Sequence, residues 1–263
     1  MPYFDEKAAR LVEVLNNTED VRRRRRTLLE TLQLQPGERV LDIGAGSGFV
    51  ALDMADHVGP TGEILGIDIS ESMLEFAKRR CAEKPWVKFS VGEATALRIP
   101  DARFDVAISV QVYEYIPDVD LAFAEMYRVL RPGGRAAIIS TDWKSIAWNS
   151  SDESRMQRLL SVYAGHCAHR DLPRHLGPKV EAAGFAITHE QALPQYHRKF
   201  GPNAYSHYIL TRLKSFVSGR EGIGDKDVND WAADLERLGE EGKYFFCLNQ
   251  YLFTLAKPVG RQN

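Results

Sequence analysis

The sequence predicts an α/β fold in which helices cover both faces of a mostly parallel sheet. Between residues 36 and 141, short apolar runs rich in Val and Ile alternate with longer amphipathic stretches. The apolar runs show little polar alternation, as expected of strands that are buried on both faces. Strands that alternate with helices are joined by right-handed crossovers, which makes them parallel.

The elements follow from periodicity and from their end signals. Ser70 and Asp118 are plausible N-caps of the second and third helices, Pro36-Gly37 ends the N-terminal segment, and Pro132-Gly133-Gly134 ends the third helix. The predicted strands cover residues 39–43, 64–69, 87–91, 104–110, 135–140, 185–193 and 244–257. One or two helices are predicted before residue 34. The later predicted helices cover residues 49–57, 71–83, 119–130, 154–166 and a stretch near 178–183.

Composition excludes several classes of function. The 263 residues carry a formal net charge of −2, whereas a general binder of nucleic acid or of membrane surfaces needs a basic excess. Three cysteines do not form a disulfide framework, and no apolar run is long enough for a membrane span. The first residues do not resemble a signal peptide. We therefore expect a soluble, cytoplasmic protein.

The chain divides into four predicted segments: an N-terminal helical segment at 1–35, a core at 36–193, an insert at 194–242, and the last strand with the tail at 243–263. The insert is long for a connection between two strands and is rich in aromatic residues, which is typical of a lid or binding element. The basic run Arg22–Arg26 is interpreted as a solvated helix face rather than an RNA-binding patch, since five consecutive residues cannot all face one partner.

One motif of the sequence indicates a ligand-binding site. The first strand leads into a glycine turn, Asp42–Gly48, and the second strand ends near a further carboxylate, Asp68. Glycines let a ligand approach the backbone. A carboxylate at the end of the second strand can accept the hydroxyls of a ribose. The dinucleotide motif requires glycine at its sixth position, where this sequence has Phe49. Asp42 adds a charge that repels a pyrophosphate but suits an ammonium or sulfonium ligand.

Five blocks stand out in order along the chain: Val40–Gly48, Gly66–Ser70 with Met73, Gly92–Ala94, Phe104–Val106 and Arg128–Gly134. Together they resemble the class I S-adenosylmethionine-dependent methyltransferases, most of all the ubiquinone/menaquinone methyltransferase-like group, whose members act on small molecules. The resemblance implies a Rossmann-like, seven-stranded, mostly parallel sheet, N-terminal helices and an α-helical lid insert, with S-adenosylmethionine as cofactor.

The resemblance also implies roles for individual residues. Asp42 and Gln111 would contact the methionine part of the cofactor, Asp68 the ribose, and Glu93 the adenine amino group, although relatives usually carry Asp at that last position. One arginine of the run 22–26 is a further candidate for the cofactor carboxylate. The full set of implied cofactor residues is Asp42, Gly44, Ala45, Gly46, Gly48, Asp68, Ile69, Met73, Glu93, Ala94 and Gln111.

A base is needed only if the acceptor is a hydroxyl or an acidic carbon. Asp142, at the end of the fifth strand, is the first candidate, with a turn cap as the alternative; Tyr115 and His207 are further candidates. Tyr115 stands where many relatives carry His. Residues 109–115 lack the Asn-Pro-Pro-Tyr motif that is associated with methylation of nucleobase or glutamine nitrogen.

The acceptor site is less defined. Tyr113, Trp143 and Tyr205 are candidate substrate contacts, with core packing as the alternative. His166 and His169 flank Cys167, but no third ligand lies nearby, so no metal site is predicted. The sequence therefore predicts methyl transfer to a small molecule, with O-, C- and N-methylation open. The alternatives are a cofactor-binding or partner subunit without turnover, and an RNA methyltransferase.

Overall fold

The computed structural model describes residues 12–259. After a helical stretch at 12–16, the helices are α1 Glu19–Leu32, α2 Phe49–Val58, α3 Glu71–Arg80, α4 Val119–Val129, α5 Glu153–Tyr163, α6 Pro173–Ala182, α7 Tyr205–Val217 and α8 Asp225–Glu240. The strands are β1 Arg39–Ile43, β2 Glu63–Asp68, β3 Val87–Val91, β4 Phe104–Val110, β5 Leu130–Thr141, β6 Ala147–Trp148, β7 Ala186–His197 and β8 Phe246–Ala256.

All strands of residues 12–259 belong to one sheet. Its order is β3-β2-β1-β4-β5-β8, with β7 on the other side of β8 and the two-residue β6 beside the start of β8. Strands β1 to β5 are parallel, and β8 is antiparallel to both β5 and β7. The predicted mostly parallel α/β sheet is confirmed. It has the seven predicted strands and, in addition, the short β6.

Helices cover both faces, as predicted. One apolar layer packs α4 and α6 on the sheet through residues such as Phe123 and Leu176. The opposite layer packs α1 and α2 through residues such as Leu28 and Met54. A third cluster, centred on the fully buried Trp231, holds α5, α7 and α8 beside β6 and the start of β8. The chain between β7 and β8 is therefore mainly two helices with their own apolar core.

Several predicted boundaries were wrong, each for a local reason. Helix α4 ends at Val129, and β5 begins at once and runs through Pro132-Gly133-Gly134, because Gly133 and Gly134 hydrogen-bond to Lys257 across the sheet. Strand β7 extends to His197 because its pairing with β8 continues to Phe246. Helix α5 gives way to a 3₁₀ turn at 164–166, and α6 begins earlier than predicted, at Pro173, a favoured first helical residue.

The arginine run is not one solvated face, which corrects the prediction. Arg24 and Arg25 are buried, whereas Arg22, Arg23 and Arg26 are exposed and bonded to Asn17, Asp20 and Glu19 respectively. Arg25 pairs with Asp53 at 2.6 Å, and Asp20 pairs with His197 at 2.8 Å. These two contacts fix α1 against the core. The predicted helical residues 1–11 lie outside the described part of the chain.

Between residues 12 and 259, no helix has the length and apolar character that a membrane crossing requires.

Candidate active site

The glycine turn after β1 is held tightly at the carboxyl end of the sheet. The N–H groups of Gly44 and Ala45 donate to the Ile67 carbonyl at 2.7 and 3.0 Å. Gly44 has a φ of +78°, and a Cβ there would lie 2.2 Å from Cγ2 of Val112. Gly48 begins α2 with a φ of +80°, and its Cβ would lie 2.8 Å from that of Ala77. Only glycine fits both positions.

Asp68 joins this turn to the next one. One carboxylate oxygen accepts the N–H of Gly46 at 2.9 Å, and the other accepts the N–H of Ser70 at 2.9 Å. A carboxylate offers about four acceptor sites, so the two oxygens can accept further hydroxyl donors. Ser70 itself caps α3, as predicted. The carboxylate therefore lies where the ends of β1 and β2 meet.

Asp42 is a buried carboxylate with an unsatisfied oxygen. Its residue surface is 1% exposed, and Oδ2 has no hydrogen-bond partner among the described residues. Burial, and then the charge of Asp68, raises the pKa of Asp42 to about 7. A cationic group placed against Oδ2 would provide the missing partner and favour the ionised form.

Four of the predicted cofactor residues, Ile69, Met73, Glu93 and Ala94, follow β2 and β3. Ile69 is 47% exposed, which is unusual for a large apolar side chain next to a buried strand. Met73 is buried, and its Cε lies 3.9 Å from the position of a Cβ on Gly46. Glu93 is exposed, its side chain has no partner in the described chain, and Ala94 follows it. These residues can form an apolar slot with a carboxylate at one edge.

Arg24 of α1 reaches the same edge of the sheet from the N-terminal segment. Its Nη1 donates to Oε1 of Gln111 at 2.5 Å and to Oε1 of Gln250 at 3.1 Å. Its Nε is buried without a partner, and it has no ion pair within residues 12–259. Gln111 adopts a φ of +56°, and its Nε2 donates to Tyr205 Oη at 3.1 Å. The sequence indicated an arginine of this run without specifying which one.

Glu114 is a buried carboxyl group that sequence reasoning missed. It accepts from Ser140 Oγ at 3.1 Å and from the Thr141 N–H at 3.3 Å. Burial raises the pKa of Glu114 to about 7. No local signal marks it, because a glutamate between two tyrosines after a strand has the pattern of a surface residue.

The structure places two of the three catalytic candidates, Asp142 and His207, in contacts of their own. Asp142 accepts from Arg174 Nε at 2.8 Å and from the Lys144 N–H at 3.1 Å, so its carboxylate serves as a turn cap and an ion pair. His207 lies about 200° around α7 from Tyr205, against Phe200 and a cleft between α7 and α8.

The substrate candidates divide in the same way. Tyr113 is 1% exposed with its ring 5.0 Å from that of Phe123, which favours the core-packing alternative. Tyr205 is buried in the polar network with Gln111. Trp143 packs its ring 4.5 Å from that of His166.

Tyr115, the third catalytic candidate, belongs to a group of side chains contributed by the loop after β4, by the turn after β5, by α5 and by α7. Its ring is 5.9 Å from that of His166, and its hydroxyl interacts electrostatically with Arg212. Burial of the hydroxyl end, and then the nearby Glu114, raises the pKa of Tyr115. We call this group the tyrosine–arginine cluster; its members are Tyr115, Trp143, Tyr163, His166, Tyr208, Arg212 and Phe216.

Comparison with known proteins agrees with this arrangement. A family model described as a methyltransferase domain matches residues 34–193. The arsenite methyltransferase of Halobacterium salinarum is 40% identical over 107 residues, which is 40% of this chain and 27% of that protein. The demethylmenaquinone methyltransferase of Symbiobacterium thermophilum is 35% identical over 113 residues, 42% of this chain and 45% of that protein.

The crystal structure of the cyclase SpnF has the same fold, with a TM-score of 0.63 over 91% of this chain and 82% of that chain at 24% identity. The matches to the curated relatives span less than half of those proteins' lengths. The family model, in contrast, covers more than half of this chain and contains the glycine turn and both carboxylates. The chain therefore belongs to the methyltransferase-domain family.

Proposed function

We propose that this enzyme transfers the methyl group of S-adenosylmethionine to a small-molecule acceptor at the carboxyl edge of the sheet. The observation that carries the proposal is the pair of carboxylates around one glycine turn, Asp42 with an unsatisfied buried oxygen and Asp68 at the end of β2. The relatives named for arsenite and for demethylmenaquinone methylation support a small acceptor.

The methionine part of the cofactor fits between Asp42 and Arg24. The ammonium would pair with the free Oδ2 of Asp42, and the carboxylate would pair with the guanidinium of Arg24, which has no counterion among the described residues. Both groups are buried, and Asp42 Oδ2 and Arg24 Nε each lack a hydrogen-bond partner among the described residues, so each can take a group of opposite charge. Gln111 holds Arg24 in place. Together with Gly44, it would line the space that the methionine part occupies between Asp42 and Arg24.

The nucleoside part fits along the ends of β2 and β3. The ribose hydroxyls would donate to the acceptor sites that Asp68 still has. The half-exposed Ile69 and the buried Met73 would sandwich the adenine, and Glu93 would accept its amino group. Small residues leave room for the cofactor to approach the backbone here; they are Ala45, Gly46, Gly48 and Ala94.

The sulfonium supplies an already activated methyl group, so the chain mainly needs to align the acceptor and exclude water. Alignment of reacting groups can contribute about 7–11 kcal/mol to lowering a barrier. Helices α7 and α8 would provide this enclosure, because they pack together and α7 brings Tyr205 against Gln111, just after β4. Asp142 is engaged on both oxygens, so it would support the turn that carries Trp143 and not remove a proton.

Binding of S-adenosylhomocysteine, measured by calorimetry, tests the cofactor site. We expect Asp68→Ala to weaken the affinity at least tenfold, because the ribose loses its acceptor, while Asp118→Ala, which removes a helix cap elsewhere, leaves the affinity unchanged. If Asp68→Ala binds as tightly as the wild type, the assignment of Asp68 to the ribose is wrong.

A second candidate is a protein that binds the cofactor without methyl transfer. It is favoured by the similarity to SpnF, a cyclase with the same fold, since a fold does not fix the reaction. The test is turnover of methyl-labelled cofactor with a cell extract. Label in a small-molecule fraction supports methyl transfer, and cofactor binding with no transfer to any fraction supports the second candidate. Label lost after nuclease treatment would indicate an RNA substrate.

A further inference from the structure

A cleft at the amino end of the sheet contains no residue that the cofactor proposal uses. Its volume is about 690 Å³, and the turns before β1, β2, β3 and β4 form it. The amino ends of parallel strands share one edge of the sheet, so the cleft lies on the edge opposite to the glycine turn. Strands β1 and β2 have five and six residues, which separates the two edges by about 15 Å. The cleft is therefore distinct from the cofactor site, and its volume is typical of a site for an organic ligand.

The cleft carries an excess of positive charge. Three cations line it: Arg39 at the start of β1, Lys88 in β3 and Arg103 just before β4. Glu63 is the one carboxylate among the described residues that line it, and it lies opposite Arg39 in the pairing of β1 with β2. The chain as a whole has a formal net charge of −2, so the positive charge is a property of this place and not of the composition.

The carboxylates that hold these cations leave several donors without a protein partner. Glu63 accepts two hydrogen bonds at 2.8 Å from Nη2 of Arg103, so Nε and Nη1 of that guanidinium remain. Asp105 accepts the backbone N–H of Arg39 at 2.7 Å, and Nε of Arg39 lies 3.6 Å from the same carboxylate. In the part of the chain that the structure describes, neither Lys88 nor the side chain of Arg39 donates a hydrogen bond. Donors from three side chains around one cleft match an anion with several oxygens, such as a phosphate.

Trp86 forms an aromatic wall beside the three cations. Its Nε1 donates to the Ala55 carbonyl at 3.1 Å, which fixes the indole, and the residue is half-buried. The other three tryptophans, Trp143, Trp148 and Trp231, are at most 9% exposed, so Trp86 is the one that a ligand in water can reach. Aromatic rings next to cations are typical of surfaces that bind nucleotides, because the ring stacks on the base while the cations pair with the phosphate.

We propose that this cleft binds a nucleoside phosphate, with the base against Trp86 and the phosphate between Lys88 and Arg39. Arg103, held by Glu63, adds a further donor on the same side. The ligand is a free nucleotide or a segment of single-stranded RNA, since both present the same base and phosphate. The site uses neither the glycine turn nor Asp42 and Asp68, so this inference does not depend on the proposed function.

The fluorescence of Trp86 measures binding directly. AMP is titrated under excitation that selects tryptophan, with and without saturating S-adenosylhomocysteine, which keeps adenine out of the cofactor site. We expect AMP to change the emission with a Kd of about 1 mM or lower, equally in both titrations, and Trp86→Phe to remove the change. Lys88→Gln should raise the Kd at least fivefold, because the phosphate loses a charge-assisted hydrogen bond. Lys226→Gln, which changes an exposed lysine on α8, is the matched control.

Further probes test the two parts of the ligand and its source. Adenosine and ribose 5-phosphate each lack one part and should bind at least tenfold more weakly than AMP. A short single-stranded oligoadenylate that binds at least tenfold more tightly than AMP identifies RNA as the source, and weaker binding than that identifies a free nucleotide.

Three results would overturn the inference. The first is that neither AMP nor the oligoadenylate changes the emission of Trp86, or that S-adenosylhomocysteine suppresses the change. The second is that Lys88→Gln binds AMP as tightly as the wild type. The third is that adenosine or ribose 5-phosphate binds as tightly as AMP. Failure of the wild type to bind S-adenosylhomocysteine would instead overturn the proposed function and leave this inference in place.

Discussion

Asp42 gives the sharpest prediction, since its pKa ties folding stability to pH. Its ordinary value is 3.8, and in the folded protein it is about 7. Below pH 3.8 the carboxyl is protonated in both states and has no effect. Between 3.8 and 7 only the unfolded chain releases the proton, so stability falls as pH rises. Above pH 7 the penalty levels off at about 4 kcal/mol, from about 1.4 kcal/mol per pH unit.

Asp42→Asn removes this penalty. The variant should be more stable than the wild type by about 2 kcal/mol at pH 5 and by about 4 kcal/mol at pH 8, measured by urea unfolding without cofactor. Glu114 also has a raised pKa, but it is present in both proteins and cancels in the comparison. Asp230→Asn, which changes an exposed carboxylate on α8, is the control and should leave the difference near zero.

Cofactor binding provides the second readout. At pH 7 the carboxyl of Asp42 is about half protonated, so pairing with an ammonium should release about half a proton per S-adenosylhomocysteine bound. Calorimetry in buffers of different ionisation enthalpy measures the number of protons released. Asp42→Asn should abolish the half proton that Asp42 contributes. The reasoning is refuted if wild type and Asp42→Asn show the same dependence of stability on pH.

Three further predictions concern packing and charge. Gly44→Ala should destabilise the protein by about 1–3 kcal/mol, since its Cβ meets Val112 at 2.2 Å and its φ is +78°; Val112→Ala in the same chain should restore part of this in urea unfolding. Arg24→Ala should raise the Kd of S-adenosylhomocysteine at least tenfold in calorimetry, whereas Arg23→Ala, with an exposed side chain, should not change it. Trp231→Ala should cost about 3–5 kcal/mol in urea unfolding, because the fully buried ring leaves a cavity in the core under α7 and α8.

Most of the fold could be predicted because its signals are local. Apolar runs of strand length and helical periodicity predicted the parallel strands, and caps such as Ser70 and Asp118 marked helix starts correctly. The errors occur where long-range pairing overrides a local signal. Pro132-Gly133-Gly134 has the pattern of a helix end followed by a loop, but the tail of β8 pairs with it and makes it part of β5.

The candidate site also has parts that local signals indicate and parts that depend on long-range contacts. The glycine turn with Asp42 and Asp68 is visible in the sequence, because each strand end is adjacent in the chain to the residues that would contact the cofactor. The catalytic candidates Asp142 and His207 have suitable chemistry, but their partners come from residues far away in the chain, which no local pattern indicates.

The sequence by itself determined the fold class, the family resemblance and the cofactor edge, because those depend on strand order and on motifs within a few residues. Only the tertiary structure buried Arg24 and Arg25 out of five arginines, buried Glu114, and brought His166 near Arg212 across 46 positions of chain. Burial and charge pairing are properties of residues from several elements packed together, and no local pattern encodes them.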